Sequence, residues 1–85
     1  MAGRKTRVIL FGLGPIGAGV ARVIAARPNF QIVGAVDIDP AKAGRDVGPV
    51  IGLEKDLGVK VSDDAAQVLK LKANVVMHCT SSSLV

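Results

Sequence analysis

The sequence Val8-Ile-Leu-Phe-Gly-Leu-Gly-Pro-Ile-Gly17 begins as an apolar run and ends in the glycine pattern Gly12-x-Gly14-x-x-Gly17. The apolar run predicts a buried strand over residues 7–11, and the apolar spacing that follows predicts a helix over residues 16–27. A strand, a glycine turn and a helix in this order are typical of the unit that binds the pyrophosphate of a dinucleotide. The first 27 residues therefore predict a dinucleotide-binding turn.

Each residue of the turn has an expected role. Gly12 allows a sharp exit from the strand, Gly14 leaves room for the phosphates to approach the backbone, and Gly17 lets the helix pack closely on the strands. Pro15 suits a first helical turn but has no N–H group. The free N–H groups of Ile16 and Gly17, at the positive end of the helix dipole, are therefore the expected phosphate donors.

A second apolar run, residues 31–37, predicts another strand and ends at Asp37, 20 residues after Gly17. A carboxylate at this place accepts hydrogen bonds from the adenosine ribose hydroxyls, which favours NAD over NADP. We assign Asp37 and its neighbour Ile38 to the cofactor site. The alternative for Asp37 is an aspartate that only caps a turn.

The sequence after Asp37 offers a helix start and two cations. Asp39 followed by Pro40 predicts the N-terminus of a short helix, with Asp39 as its cap, before an irregular glycine-rich loop that extends to residue 57. Lys42 and Arg45 are interpreted as solvated charges on that helix, although either could approach a 2′-phosphate. We therefore predict that NAD is used and that NADP is also accepted.

The rest of the chain continues the alternation of strand and helix. Residues 59–61 and 74–79 predict two more strands, and Ser62-Asp63-Asp64 predicts the start of a helix that ends near Leu71. The resulting βαβαβαβ order predicts an α/β, Rossmann-type parallel sheet, here incomplete, with strand order 3-2-1-4.

The carboxyl ends of the first and fourth strands should form the ligand site, because the strand order reverses between them. Cys79, at the end of the fourth strand, and the following Thr80 and Ser81 are assigned to the cofactor site, the alternative being a serine-rich turn. Cys79 has no paired base that would make it a nucleophile. His78, within an apolar run, is interpreted as a structural histidine. No residue is assigned to catalysis or to a metal.

Composition narrows the class of protein. The net charge is +4, but the basic residues form no stripe with interleaved aromatic residues, so nucleic acid is not an expected partner. No apolar run reaches the roughly 18 residues that a membrane-spanning helix needs. The single cysteine and the short segment before the first strand favour a cytoplasmic protein.

Three segments in order resemble a known family: residues 7–17, the sequence Val33-Gly-Ala-Val-Asp-Ile-Asp-Pro-Ala-Lys42, and His78-Cys-Thr-Ser-Ser-Ser83. They look like the amino-terminal part of 2,4-diaminopentanoate dehydrogenases and native amine dehydrogenases, whose cofactor domain is similar to that of dihydrodipicolinate reductase. The resemblance implies an NAD(P)-dependent oxidoreductase that deaminates an amine or aminates a ketone. By position it also implies these cofactor contacts: Gly12, Gly14, Pro15, Ile16, Asp37, Thr80 and Ser81.

The resemblance also implies the organisation of the parent protein. Residues 1–85 would be the amino-terminal part of the cofactor domain, and the substrate domain, which handles the small amine or ketone, would be absent. The full-length parent is expected to be a homo-oligomer. Two alternatives remain open, a dihydrodipicolinate reductase-like fragment and a nucleotide-binding module without catalysis.

Overall fold

The computed structural model describes residues 5–78, which form one parallel sheet with helices on both faces. The strands have the spatial order β3-β2-β1-β4, which confirms the predicted Rossmann-type topology. The elements in chain order are β1 (Thr6–Phe11), α1 (Pro15–Ala25), β2 (Phe30–Val36), α2 (Val47–Val50), β3 (Val61–Ser62), α3 (Ala65–Val68) and β4 (Val75–His78).

The larger apolar core lies between the sheet and α1. Val8 and Leu10 of β1 contribute to it from the sheet, Ala21 from α1 and Val47 from α2, and all four are buried. Because alternate residues of a strand face opposite sides of a sheet, this packing fixes β1 and α1 relative to each other. The packing therefore also fixes the position of the turn that joins β1 to α1.

A smaller core covers the opposite face, where α3 packs. Ile9, Val36 and Val68 are its buried members. A Cβ atom on Gly34 would stand 2.8 Å from Cγ1 of Val68 and 3.1 Å from Cδ1 of Leu71. The glycine in β2 therefore allows the α3 segment to approach the sheet closely.

The helix predicted after Asp39-Pro40 does not form. Residues 40–44 make one turn, in which the Asp39 carbonyl accepts from the N–H groups of Lys42 and Ala43. The turn ends at Gly44, which has a φ of +85° and donates its N–H to the Val61 carbonyl. The Gly44 N–H therefore bonds to β3 instead of forming the hydrogen bond that would continue a helix.

A short helix forms instead in the segment predicted to be an irregular loop. Asp46 caps α2, and its carboxylate accepts hydrogen bonds from the N–H groups of Gly48, Leu57 and Gly58. Desolvation alone would raise the pKa of Asp46, but these hydrogen bonds outweigh it and lower the pKa. One carboxylate therefore organises the connection between β2 and β3.

Several other element boundaries differ from prediction by one to three residues, as at the end of α1, which is Ala25 rather than residue 27. Strand β3 begins at Val61 rather than at Val59, because the Val59 carbonyl accepts from Val47 N–H and Lys60 bridges to Asp46. Helix α3 ends at Val68, and tighter turns continue the chain to Leu71. Within residues 5–78, no helix has both the length and the apolar character needed to cross a membrane.

Candidate functional site

The glycine turn lies at the carboxyl end of β1 and leads into α1. Gly12 has a φ of +94°, a conformation that favours glycine, and its N–H donates to the Val36 carbonyl at 2.8 Å. Gly14 is the N-cap residue of α1, and Pro15 is the first helical residue. The predicted order of strand, turn and helix is confirmed, and the turn is bonded to β2.

The start of α1 presents unsatisfied amide groups. Ala18 N–H donates to the Gly14 carbonyl, but the N–H groups of Gly14, Ile16 and Gly17 have no acceptor among the described residues. Such groups at a helix N-terminus bind anions, helped by the helix dipole.

Gly14 borders open space. Apart from its two chain neighbours, no residue in the described range 5–78 has a heavy atom within 4 Å of a Cβ atom built on Gly14, and its backbone angles (φ −68°, ψ −172°) are accessible to any residue. Neither packing nor conformation requires a glycine here. A ligand that approaches the backbone closely would require one, as expected for a pyrophosphate.

Asp37 follows β2 directly and faces this turn. One of its carboxylate oxygens accepts from Leu13 N–H at 2.8 Å, and the other accepts from Asp39 N–H at 2.9 Å. Desolvation would raise the pKa of Asp37, but these backbone hydrogen bonds and the charge of Lys42 outweigh it and lower the pKa. The side chain is 11% exposed and is an ionised acceptor at neutral pH.

Lys42 reaches the same turn, which corrects its interpretation as a solvated charge on a helix. Its ammonium group donates to the Leu13 carbonyl at 2.8 Å and lies 3.7 Å from Oδ2 of Asp37. Arg45 is exposed, and its side chain makes no hydrogen bond or ion pair within residues 5–78. Lys42 and Arg45 were interpreted alike from the sequence, but in the structure Lys42 contacts the glycine turn and Arg45 is an exposed charge.

Two exposed isoleucines adjoin these polar groups. Ile16, in the first turn of α1, is 71% exposed, and Ile38, next to Asp37, is 87% exposed. Their position beside the glycine turn and Asp37, rather than their exposure alone, makes them candidates for apolar contacts to a ligand.

The end of β4 lies beside the end of β1, where Phe11 pairs with His78. The two rings stack with their centroids 5.0 Å apart. His78 is exposed at the end of β4. Its interpretation as a structural histidine stays a prediction. Cys79, Thr80 and Ser81, which were assigned to the cofactor site, lie outside the described residues.

The arrangement fits a dinucleotide. It combines amide donors at a helix N-terminus, open space over Gly14 and an ionised carboxylate at the end of the neighbouring strand. Among residues 5–78, no group of three or more His, Cys, Asp or Glu side chains is placed to hold a metal ion.

Comparison with known proteins agrees with this geometry. Residues 6–85 match the family described as dihydrodipicolinate reductase, N-terminus. The chain belongs to this family. Its members provide a pyridine nucleotide-binding domain of oxidoreductases, so the class of ligand expected at the glycine turn is NAD(P).

The relatives include an amine dehydrogenase and a 4-hydroxy-tetrahydrodipicolinate reductase, two kinds of enzyme that the sequence was expected to resemble. An amine dehydrogenase of Streptomyces virginiae is 32% identical over 76 residues, which cover 89% of this chain and 21% of that protein. A 4-hydroxy-tetrahydrodipicolinate reductase of Synechocystis is 41% identical over 58 residues, which cover 68% of this chain and 21% of that protein.

The solved structures include a close match. The structure of amine dehydrogenase from Mycobacterium smegmatis aligns with a TM-score of 0.72 and 43% identity, over 76% of this chain and 19% of that chain. The resemblance inferred from the sequence is confirmed. The chain spans about a fifth of the length of the relatives it matches.

Proposed function

We propose that this chain is the NAD(P)-binding portion of an oxidoreductase that acts on a C–N bond, by oxidative deamination of an amine or reductive amination of a ketone. The observation that carries the proposal is Gly14, which borders open space beside free amide groups while Asp37 faces the same turn. The likeness to two amine dehydrogenases supports the choice of reaction class.

The residues of the chain would bind and orient the cofactor. The N–H groups of Ile16 and Gly17 would donate to the pyrophosphate, and the carboxylate of Asp37 would accept from the adenosine ribose. A bound nicotinamide would supply hydride transfer, and Ile16 and Ile38 would cover apolar parts of the dinucleotide.

Other parts of the proposal rest on the sequence resemblance. Cys79, Thr80 and Ser81 are proposed cofactor contacts after β4. The residues that bind the amine or ketone and handle its proton are proposed to belong to a separate substrate domain of a longer, homo-oligomeric parent protein in the cytoplasm.

A second candidate function is a dihydrodipicolinate reductase-like activity. The identity of 41% to the Synechocystis reductase favours it. The sequence His78-Cys-Thr-Ser-Ser-Ser83, which resembles the amine dehydrogenases, favours the first candidate. A nucleotide-binding module without catalysis would use the same binding residues.

The choice of cofactor follows from the charge of Asp37. An ionised carboxylate accepts from a ribose hydroxyl and repels a 2′-phosphate, so we propose that NAD is preferred and that NADP is also accepted. A hundredfold preference for NADP, about 2.7 kcal/mol, would contradict this.

Calorimetric titration of NAD and NADP into the chain and into an Asp37→Ala variant tests the proposal. We expect the ratio of NAD to NADP affinity to fall about tenfold in the variant, because repulsion of the 2′-phosphate is lost together with the ribose contact. Asp63→Ala, at an exposed aspartate in the segment before α3, is the matched control and should keep the ratio. Absence of NAD and NADP binding to the unaltered chain would refute the proposed function.

A further inference from the structure

Both peptide groups that flank Leu13 are held by one charged pair. The N–H of Leu13 donates to Oδ2 of Asp37 at 2.8 Å, and the carbonyl of Leu13 accepts from the ammonium of Lys42, also at 2.8 Å. The same Oδ2 lies 3.7 Å from that ammonium, and the Leu13 side chain is buried in the core. Leu13 is therefore fixed by its side chain and by both of its backbone polar groups.

The hydrogen bond from Lys42 also determines the direction of a neighbouring donor. The Leu13 carbonyl and the Gly14 N–H belong to one planar trans peptide group, so they point in opposite directions. Holding the carbonyl towards Lys42 turns the Gly14 N–H away from Lys42. That N–H has no acceptor among the described residues and lies beside the open space over Gly14.

The neighbouring proline makes this donor important. Pro15 has no N–H, so the turn has lost one of the amide groups that a helix start normally offers to a phosphate. The Gly14 N–H is the nearest donor before that gap. An amide already aimed at its acceptor loses little freedom on binding, whereas an amide that can rotate must be ordered by the ligand.

We propose that Lys42 is a positioning residue for the pyrophosphate: it holds the Leu13 carbonyl and so aims the Gly14 amide at the phosphate oxygens. The inference rests on the proposed dinucleotide-binding function. In this role Lys42 does not touch the cofactor, and its effect is the same for any ligand that carries the pyrophosphate. A direct contact to the 2′-phosphate would instead affect NADP alone.

Arg45 provides a matched control for Lys42. It lies three residues later, and its replacement by methionine removes one positive charge from the same connection. Its side chain makes no hydrogen bond or ion pair within residues 5–78. Comparing Lys42→Met with Arg45→Met therefore separates the hydrogen bond to Leu13 from the general loss of a positive charge near an anionic ligand.

The experiment measures the dissociation constants of NAD and NADP for the unaltered chain, Lys42→Met, Lys42→Arg and Arg45→Met. The ¹⁵N–¹H shift of the Gly14 amide is recorded for each variant without ligand. We expect Lys42→Met to weaken NAD and NADP equally, by about tenfold, which is the scale of one lost charge-assisted hydrogen bond. Its Gly14 amide should shift, Lys42→Arg should restore most of both effects, and Arg45→Met should change neither affinity by more than about twofold.

The outcomes distinguish this inference from its alternatives. Loss of NADP affinity alone in Lys42→Met would assign Lys42 to the 2′-phosphate and overturn the positioning role. Unchanged affinity for both cofactors, or an unshifted Gly14 amide, would also overturn it. If Lys42→Met fails to fold, Lys42→Gln takes its place: its shorter, uncharged amide cannot form the charge-assisted hydrogen bond to the Leu13 carbonyl, so the same equal loss of affinity and the same Gly14 shift are expected. Their absence in Lys42→Gln would overturn the positioning role. Absence of binding to the unaltered chain would refute the proposed function and not only the role of Lys42.

Discussion

Replacement of Gly14 by alanine tests whether glycine is required at this position for ligand binding or for folding. Gly14 has backbone angles that alanine adopts freely, and beyond its chain neighbours the added Cβ would meet no heavy atom of the described residues within 4 Å. The methyl group would nevertheless project into the space beside the free amides at the start of α1. We therefore expect Gly14→Ala to fold normally and to bind the dinucleotide poorly.

The size of both effects can be estimated. Alanine lowers the conformational entropy of the unfolded chain, which stabilises by about 0.4–1 kcal/mol, but it is a poorer N-cap residue than glycine by a similar amount. The free energy of unfolding should thus change by less than about 1 kcal/mol. An extra methyl group in a close contact typically costs about 1–3 kcal/mol, so the dissociation constant of NAD should rise by about 10- to 100-fold.

The assay combines urea unfolding with calorimetric titration of NAD. Gly19→Ala is the control, because it makes the same substitution within α1, where the new Cβ would be 3.8 Å from Nη2 of Arg22. Alanine is the better helix former in a helix interior, so this variant should be stabilised by about 0.5–1 kcal/mol. Its affinity for NAD should remain unchanged.

Two results would contradict the expected effect of Gly14→Ala. If Gly14→Ala bound NAD as tightly as the unaltered chain, the phosphates would not approach the backbone at this glycine. If it unfolded at a much lower urea concentration while Gly19→Ala did not, Gly14 would serve the fold rather than the ligand. Either result would remove the observation on which the proposed function depends.

Two further predictions concern stability. Gly34→Ala should lower the free energy of unfolding by about 1–3 kcal/mol, because its Cβ would overlap Val68 and Leu71; an unchanged urea midpoint would show that the α3 segment can shift without cost. Because the pKa of Asp46 is lowered below its ordinary value of 3.8, its contribution to stability is complete above that pH and is lost as the pH falls towards the folded-state pKa. Asp46→Asn should therefore destabilise the chain at neutral pH and lose less stability on acidification, as measured by urea unfolding between about pH 6 and pH 3. If the free energy of unfolding fell with pH as steeply in the variant as in the unaltered chain, the prediction would be contradicted.

Local features of the sequence were predicted well. The order of strand, glycine turn and helix around Gly12 was predicted, and so was the second strand, which ends one residue before the predicted Asp37. Each depends on a few neighbouring residues. The strand order also followed, because right-handed crossovers leave few arrangements for alternating strands and helices.

The segment between β2 and β3 was predicted poorly. Pro40 suggested a helix start and Gly48-Pro49 suggested a break, yet a turn forms after Pro40 and α2 includes Gly48 and Pro49. The carboxylate of Asp46 decides this by accepting from residues 11 and 12 positions later, which no local pattern records. The hydrogen bond from Lys42 to Leu13 was missed for the same reason.

By itself the sequence determined the glycine turn, the acid after the second strand and the alternating order of elements, because these depend on backbone conformation and on the period of apolar residues. Only the tertiary structure decided which charged groups meet at the turn. Asp37 reaches Leu13 across 24 residues and Lys42 reaches it across 29, and both contacts exist because β1 and β2 pair side by side. A charged side chain finds such a partner only when strand pairing brings distant parts of the chain together.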